Sequence, residues 1–88
     1  MKLKGEFVIR EIAGDAVAVP VGETALTLNG MILLNPVSRV LFEQLQQETT
    51  PEKLTEAVTD RFETTPEQAR ADIEEFLEQL RNVNLLTE

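Results

Sequence analysis

Few side chains in this chain could take part in a reaction. Its 88 residues include no His, no Cys and no Tyr, so the usual acid–base groups and the thiolate nucleophile are missing. The only serine, Ser38, lies in the first turn of an expected helix and has no base of the usual kind to activate it. A capping or surface role is the better interpretation of Ser38, and we predict no catalytic residue and no enzyme activity.

Carboxylates are the one plentiful reactive group, and they could bind Mg²⁺ or Ca²⁺. Asp72, Glu74, Glu75 and Glu78 crowd a single segment. Oxygen-ligand sites normally draw on a loop or on several elements, whereas these four lie along one expected helix. The four glycines are isolated turn residues and form no phosphate-binding loop. We therefore expect a solvated acidic helix face, with no metal site and no cofactor.

The acidic excess is concentrated in the second half of the chain. Residues 1–47 hold five acids and four bases, whereas residues 48–88 hold eleven acids and four bases, and the net charge is −8. Such a surface repels a phosphate backbone, so nucleic acid is a poor candidate partner.

The longest apolar run, Met31 to Leu34, is too short to cross a bilayer. We predict a soluble, cytoplasmic protein with no membrane partner, since the N-terminus has no secretory signal.

The first half of the chain predicts strands. Apolar segments at 7–12 and 16–19 indicate a hairpin, with a tight turn at Gly14-Asp15. The Asn29-Gly30 pair is a strong turn signal and leads into a third strand at 31–34. The pattern leaves open whether the preceding residues, 26–28, form a separate strand.

Three helices are expected in the second half, because a capping residue followed by proline occurs three times, at Asn35-Pro36, Thr50-Pro51 and Thr65-Pro66. The first helix covers about residues 36–47. In the third, Gln68 can complete a capping box with Thr65, and Asn84 suits the left-handed residue after the helix. The chain as a whole, 1–88, predicts one α+β domain: a three-stranded antiparallel sheet followed by three helices, in a winged-helix-like arrangement.

Two surfaces could bind a partner. Side chains alternate along a strand, so the four apolar residues Met31, Ile32, Leu33 and Leu34 need apolar contacts on both faces of their sheet. An edge strand here would form a groove with the third helix, where an extended peptide could add as a further strand. Periodicity alone does not distinguish this from a buried central strand. The predicted helix side of the groove is Arg70, Ile73, Glu74 and Leu77.

Several stretches resemble the PqqD family, which includes a small protein of pyrroloquinoline quinone biosynthesis. They are Val19-Pro20-Val21-Gly22-Glu23, Leu28-Asn29-Gly30-Met31-Ile32-Leu33-Leu34-Asn35, Leu45-Gln46, the Ile73 to Leu80 helix segment and Leu85-Leu86. The resemblance covers nearly the whole chain and rests on the order of elements and on the Asn-Gly-Met-Ile run. Where family members often have a Trp in the first helix, this chain has Phe42.

The resemblance implies a precursor-peptide recognition element. Such a domain binds the leader segment of a ribosomally made precursor peptide and delivers it to a modifying enzyme, often a radical SAM protein. It also implies that the leader adds to the third strand and lies against the third helix. On this sequence, the peptide-binding residues would be Met31, Ile32, Leu33 and Leu34 together with Arg70, Ile73, Glu74 and Leu77.

Two other functions are compatible with the predicted fold. A winged-helix transcription factor needs a basic recognition helix, and the third helix is acidic, which argues against this function. A structural adaptor would dock on a larger enzyme without touching its substrate. An exposed strand edge can also pair with a second copy of the chain, so a homodimer is a further outcome to test.

Overall fold

The computed structural model describes residues 1–28 and 30–88. It has the predicted α+β architecture, with an additional short strand at each end and a short additional helix. The strands are β1 (Lys2–Leu3), β2 (Phe7–Ile12), β3 (Asp15–Pro20), β4 (Ile32–Leu34) and β5 (Leu86–Thr87), and the helices are α1 (Thr24–Thr27), α2 (Pro36–Gln44), α3 (Pro51–Arg61) and α4 (Pro66–Asn82). None of the helices in the described part of the chain combines the length and the apolar character of a membrane-spanning segment.

The hairpin of β2 and β3 forms as predicted, but its turn lies one residue earlier than expected. Ile12 pairs with Asp15 at the end of the ladder, so the two turn residues are Ala13 and Gly14. Both have positive φ, 54° and 86°, as a type I′ turn requires to match the twist of the strands. The prediction of a turn at Gly14-Asp15 was wrong because the alanine takes the first left-handed position.

The third predicted strand is β4, and it begins at Ile32, one residue after Met31. The predicted turn before it includes Asn29, which lies outside the described residues, while Gly30 has a φ of 91°. Residues 24–27 form the short helix α1, so residues 26–28 do not form a separate strand. The Thr24 hydroxyl accepts a hydrogen bond of 2.7 Å from the Glu6 amide, which fixes α1 against the start of β2.

All three predicted helices begin at the expected proline, each after a capping side chain. Thr65 accepts a hydrogen bond from the Gln68 amide, but the Gln68 side chain donates to Asp72 instead of completing a capping box. A full capping box occurs at α2 instead, between Asn35 and Ser38. Here the backbone N–H of each residue donates to the other's side chain at 2.8 Å. Ser38 is therefore a capping residue, as the sequence indicated.

The last turn of α4 closes in a Schellman motif. Asn84 has a φ of 59°, which confirms the predicted left-handed residue. Its N–H donates to the Arg81 carbonyl at 3.0 Å, and the Leu85 N–H donates to the Leu80 carbonyl at 2.8 Å. This reversal brings β5 antiparallel to β1 and buries Leu85 and Leu86 against the core.

The core lies between one face of the three-stranded sheet and helices α2 to α4. Phe7 of β2 and Phe42 of α2 meet at its centre, with ring centroids 5.2 Å apart and ring planes at 88°. Such edge-to-face pairs are favourable beyond the area they bury. A single residue, Asn35, separates β4 from α2, so the helix that carries Phe42 begins directly after this strand.

Removing the cap between β4 and α2 should destabilise the protein measurably. We expect Asn35→Ala to lower the free energy of unfolding by about 1 kcal/mol, since the Ser38 amide loses its acceptor. Asn35→Asp keeps an acceptor oxygen and should cost much less. Urea unfolding of the three proteins measures the difference, and equal midpoints for Asn35→Ala and the parent would contradict a stabilising role for this cap.

Candidate functional site

The strand β4 is at the edge of the three-stranded sheet. The order of the strands is β2-β3-β4, and β4 pairs antiparallel with β3 through Ile32, Leu33 and Leu34. Among the described residues, no strand pairs with the other side of β4. The sequence pattern could not distinguish an edge strand from a central one, and the structure shows that β4 is an edge strand.

Hydrogen bonding in the sheet determines which backbone groups of β4 are open. Val21 donates to the Glu6 carbonyl at 3.0 Å, and bonded pairs alternate along antiparallel strands. The odd-numbered residues of β3 therefore bond to β2, and its even-numbered residues bond to β4. It follows that the backbone groups of Ile32 and Leu34 face β3, whereas the N–H and C=O of Leu33 point to the open edge.

The side chains of this strand divide between the two faces of the sheet. Leu34 is buried in the core and Ile32 packs against it. Leu33 is 72% exposed and Met31, just before the strand, is 58% exposed. On the outer face, Leu33 lies opposite Val17 of β3, and most of the Leu33 side chain stays exposed to solvent.

The four residues predicted for the helix side of the groove do not lie together at this edge. Ile73 and Leu77 are 1% and 0% exposed, because they form part of the core stripe of α4. Arg70 and Glu74 are exposed, and with Ile73 they line a shallow groove of about 310 Å³ whose other wall is the first half of α3. Arg70, Ile73 and Glu74 therefore border α3, whereas Leu77 lies in the core.

A larger groove, of about 520 Å³, begins where β4 ends and lies between the start of α2 and α4. Its floor is apolar, with the buried side chains of Leu41 and Phe76, and Val37 and Phe62 are half-buried at its sides. The lining residues are Asn35, Pro36, Val37, Ser38, Leu41, Phe62, Asp72, Glu75, Phe76 and Gln79. This groove is the concave surface that adjoins the end of the edge strand.

The α4 residues that line this groove were not among those predicted, and they lie on the other flank of the core stripe. Asp72, Glu75, Phe76 and Gln79 follow the i, i+3, i+4, i+7 spacing of one helix face. At 100° per residue, that face is centred roughly 160° from the face formed by residues 70, 73, 74 and 77. The core stripe runs between the two. The spacing was visible in the sequence, but nothing there showed that this flank would line a groove at the end of β4.

Two arginines of the long helices, Arg39 and Arg81, form ion pairs outside the groove. Arg39 of α2 bonds to Glu11 at 2.9 Å and lies 3.4 Å from Glu43, and the Glu11 hydrogen bond raises the pKa of Arg39. Arg81 of α4 bonds to Glu88, which lowers the pKa of the Glu88 carboxyl. In the described part of the chain, no three His, Cys, Asp or Glu residues come together as they would to hold a metal ion.

Comparisons with known proteins support the resemblance drawn from the sequence. No curated protein matches the chain. A solved structure, TbiB1 in complex with the TbiA(beta) leader peptide, matches with a TM-score of 0.71 and 21% sequence identity, over 98% of this chain and 94% of the TbiB1 chain. At that identity, the likeness shows a shared fold. Residues 7–86 also match the family described as coenzyme PQQ synthesis protein D (PqqD). The match covers nearly the whole length, and the chain therefore belongs to the PqqD family.

Proposed function

We propose that this protein binds the leader segment of a ribosomally synthesised precursor peptide as an added strand on β4. The observation that carries the proposal is the open backbone of Leu33, beside a groove at the end of the same strand. In strand addition, main-chain hydrogen bonds supply affinity and pockets for alternate side chains supply specificity. Membership of the PqqD family and a fold shared with TbiB1, whose structure contains a leader peptide, support the same function.

The proposed site has a strand side and a helix side. The strand side keeps Met31, Ile32, Leu33 and Leu34, of which Leu33 offers its backbone and Met31 and Leu33 offer exposed apolar surface. For the helix side, we replace Arg70, Ile73, Glu74 and Leu77, since two of these are core residues and the other two face α3. The groove residues of α4 take their place: Asp72, Glu75, Phe76 and Gln79.

The proposal includes a modifying enzyme as the second partner. The protein would contribute no chemistry of its own and would present the bound peptide to that enzyme, for which a radical SAM protein is our first candidate. A structural adaptor would bind the enzyme equally well without peptide. Co-purification of this chain with the candidate enzyme, in the presence and absence of the precursor peptide, separates the two functions.

Peptide titration followed by amide chemical shifts tests the binding site. The probe is a peptide selected for binding from a display library of random short peptides. We expect the perturbed amides to cluster at residues 31–37 and 72–79. Perturbations confined to the α3–α4 groove, around Glu52, Thr55 and Arg70, would contradict the proposed site.

A further inference from the structure

The charges on the groove beside β4 are all of one sign. Asp72 and Glu75 are the only ionisable residues among the ten that line it, and the lining includes no Lys or Arg. Asp72 is half-buried and Glu75 is exposed, and both are neighbours of the apolar floor formed by Phe76 and Leu41. A ligand side chain that enters the groove therefore meets apolar surface with two carboxylates beside it.

These carboxylates have no compensating cation in the described structure. Neither takes part in any of its ion pairs. Asp72 accepts one hydrogen bond from the neutral Gln68 amide through a single oxygen, which leaves the other oxygen for a ligand. Arg39 and Arg81 are already bonded to other acids, and Arg61, which precedes the groove residue Phe62, donates to the Ala57 carbonyl. Arg70, although close in sequence, faces the α3 side of the helix.

We propose that the groove selects leader peptides in which a Lys or Arg stands next to the apolar residue that fills it, and that it rejects acidic residues at those positions. This inference rests on the proposed function and names the class of peptide. The apolar floor fits the aliphatic stem of a long cationic side chain as well as an adjacent apolar residue. The two carboxylates then meet the cation, and electrostatic complementarity of this kind sets specificity more than affinity.

The expected selectivity is modest, because both carboxylates are accessible to water. Exposed ion pairs are weak, so two of them should favour a basic peptide over its neutral counterpart by roughly threefold to tenfold. An acidic residue in the same place is repelled by the same carboxylates, so the difference in affinity between basic and acidic peptides should be larger. Salt screens exposed charges, so the preference should shrink as ionic strength rises.

A selection experiment tests the proposal with the whole chain as bait. Random short peptides are displayed and selected against the parent protein, against Asp72→Asn/Glu75→Gln, and against Glu56→Gln/Asp60→Asn. The last variant is a matched control, since it removes one Asp and one Glu from exposed positions on α3 that line neither groove. We expect Lys and Arg to be enriched beside an apolar residue with the parent and the control, and the enrichment to be lost with the groove variant.

The outcomes separate this inference from the proposed function. If selected peptides bind at β4, as shown by amide shifts, but carry no basic preference, the inference is overturned and strand addition stands. The inference also fails if the groove variant keeps the same enrichment as the parent, because the preference then reflects the overall charge of −8. If the selection yields no peptide that binds at β4, both proposals are overturned.

Discussion

Replacing Phe42 with alanine should lower the free energy of unfolding by about 3–5 kcal/mol. The Phe42 side chain is completely buried and meets the Phe7 ring edge-to-face at 5.2 Å. Its removal leaves a cavity between the sheet and α2, where the Phe7–Phe42 contact joins the two elements. Since a domain of this size is stable by only about 5–10 kcal/mol, the variant should be partly unfolded at moderate temperature.

Thermal and urea unfolding measure this effect against a matched truncation at the surface. Leu26 is 85% exposed, so Leu26→Ala should change the free energy of unfolding by less than about 0.5 kcal/mol. Phe42→Leu keeps much of the volume and should fall between the two. A loss below about 1 kcal/mol for Phe42→Ala would contradict the role of this ring as a centre of the core.

A proline at position 33 should abolish most peptide binding while leaving the fold intact. The Leu33 N–H points to the open edge, so Leu33→Pro removes no hydrogen bond between β3 and β4, and proline is tolerated on edge strands in this orientation. An added peptide strand would lose that donor and meet the proline ring. We expect binding of a selected peptide to weaken by at least about tenfold.

The control for this variant is Leu33→Ala, which removes the same exposed side chain but keeps the N–H. Its binding should weaken less than that of Leu33→Pro, because the backbone contact survives. Both variants should unfold at urea concentrations close to that of the parent. If alanine and proline weaken binding equally, the peptide contacts the Leu33 side chain and does not pair with the strand.

The sequence predicted the elements whose signals are local. Strands β2 and β3, the proline at the start of each long helix and the left-handed Asn84 all depend on a few neighbouring residues. Local rules failed where the conformation of a segment depends on its contacts with another segment. The turn at Ala13-Gly14 is set by the register of two strands, and α1 lies where the apolar residues at 26–28 permitted a strand.

The strand side of the proposed site follows from the sequence pattern, whereas the helix side needed the structure. Four apolar residues in a row required two contact surfaces, and this followed from alternation alone. The helix side depended on how α4 is rotated against β4, and the sequence contained two suitable faces, one on each flank of the core stripe. Packing of Ile73 and Leu77 into the core settles that rotation, and it turns Asp72 and Phe76 towards the end of β4.

Amide hydrogen exchange at Leu33 tests the central claim, that a peptide adds to β4, most directly. The amides of Ile32 and Leu34 already bond to β3, whereas the Leu33 amide points to the open edge. On binding a selected peptide, the Leu33 amide should change from fast exchange to strong protection, while those of Ile32 and Leu34 change less. A Leu33 amide that still exchanges fast when the peptide is saturating would contradict strand addition at this edge.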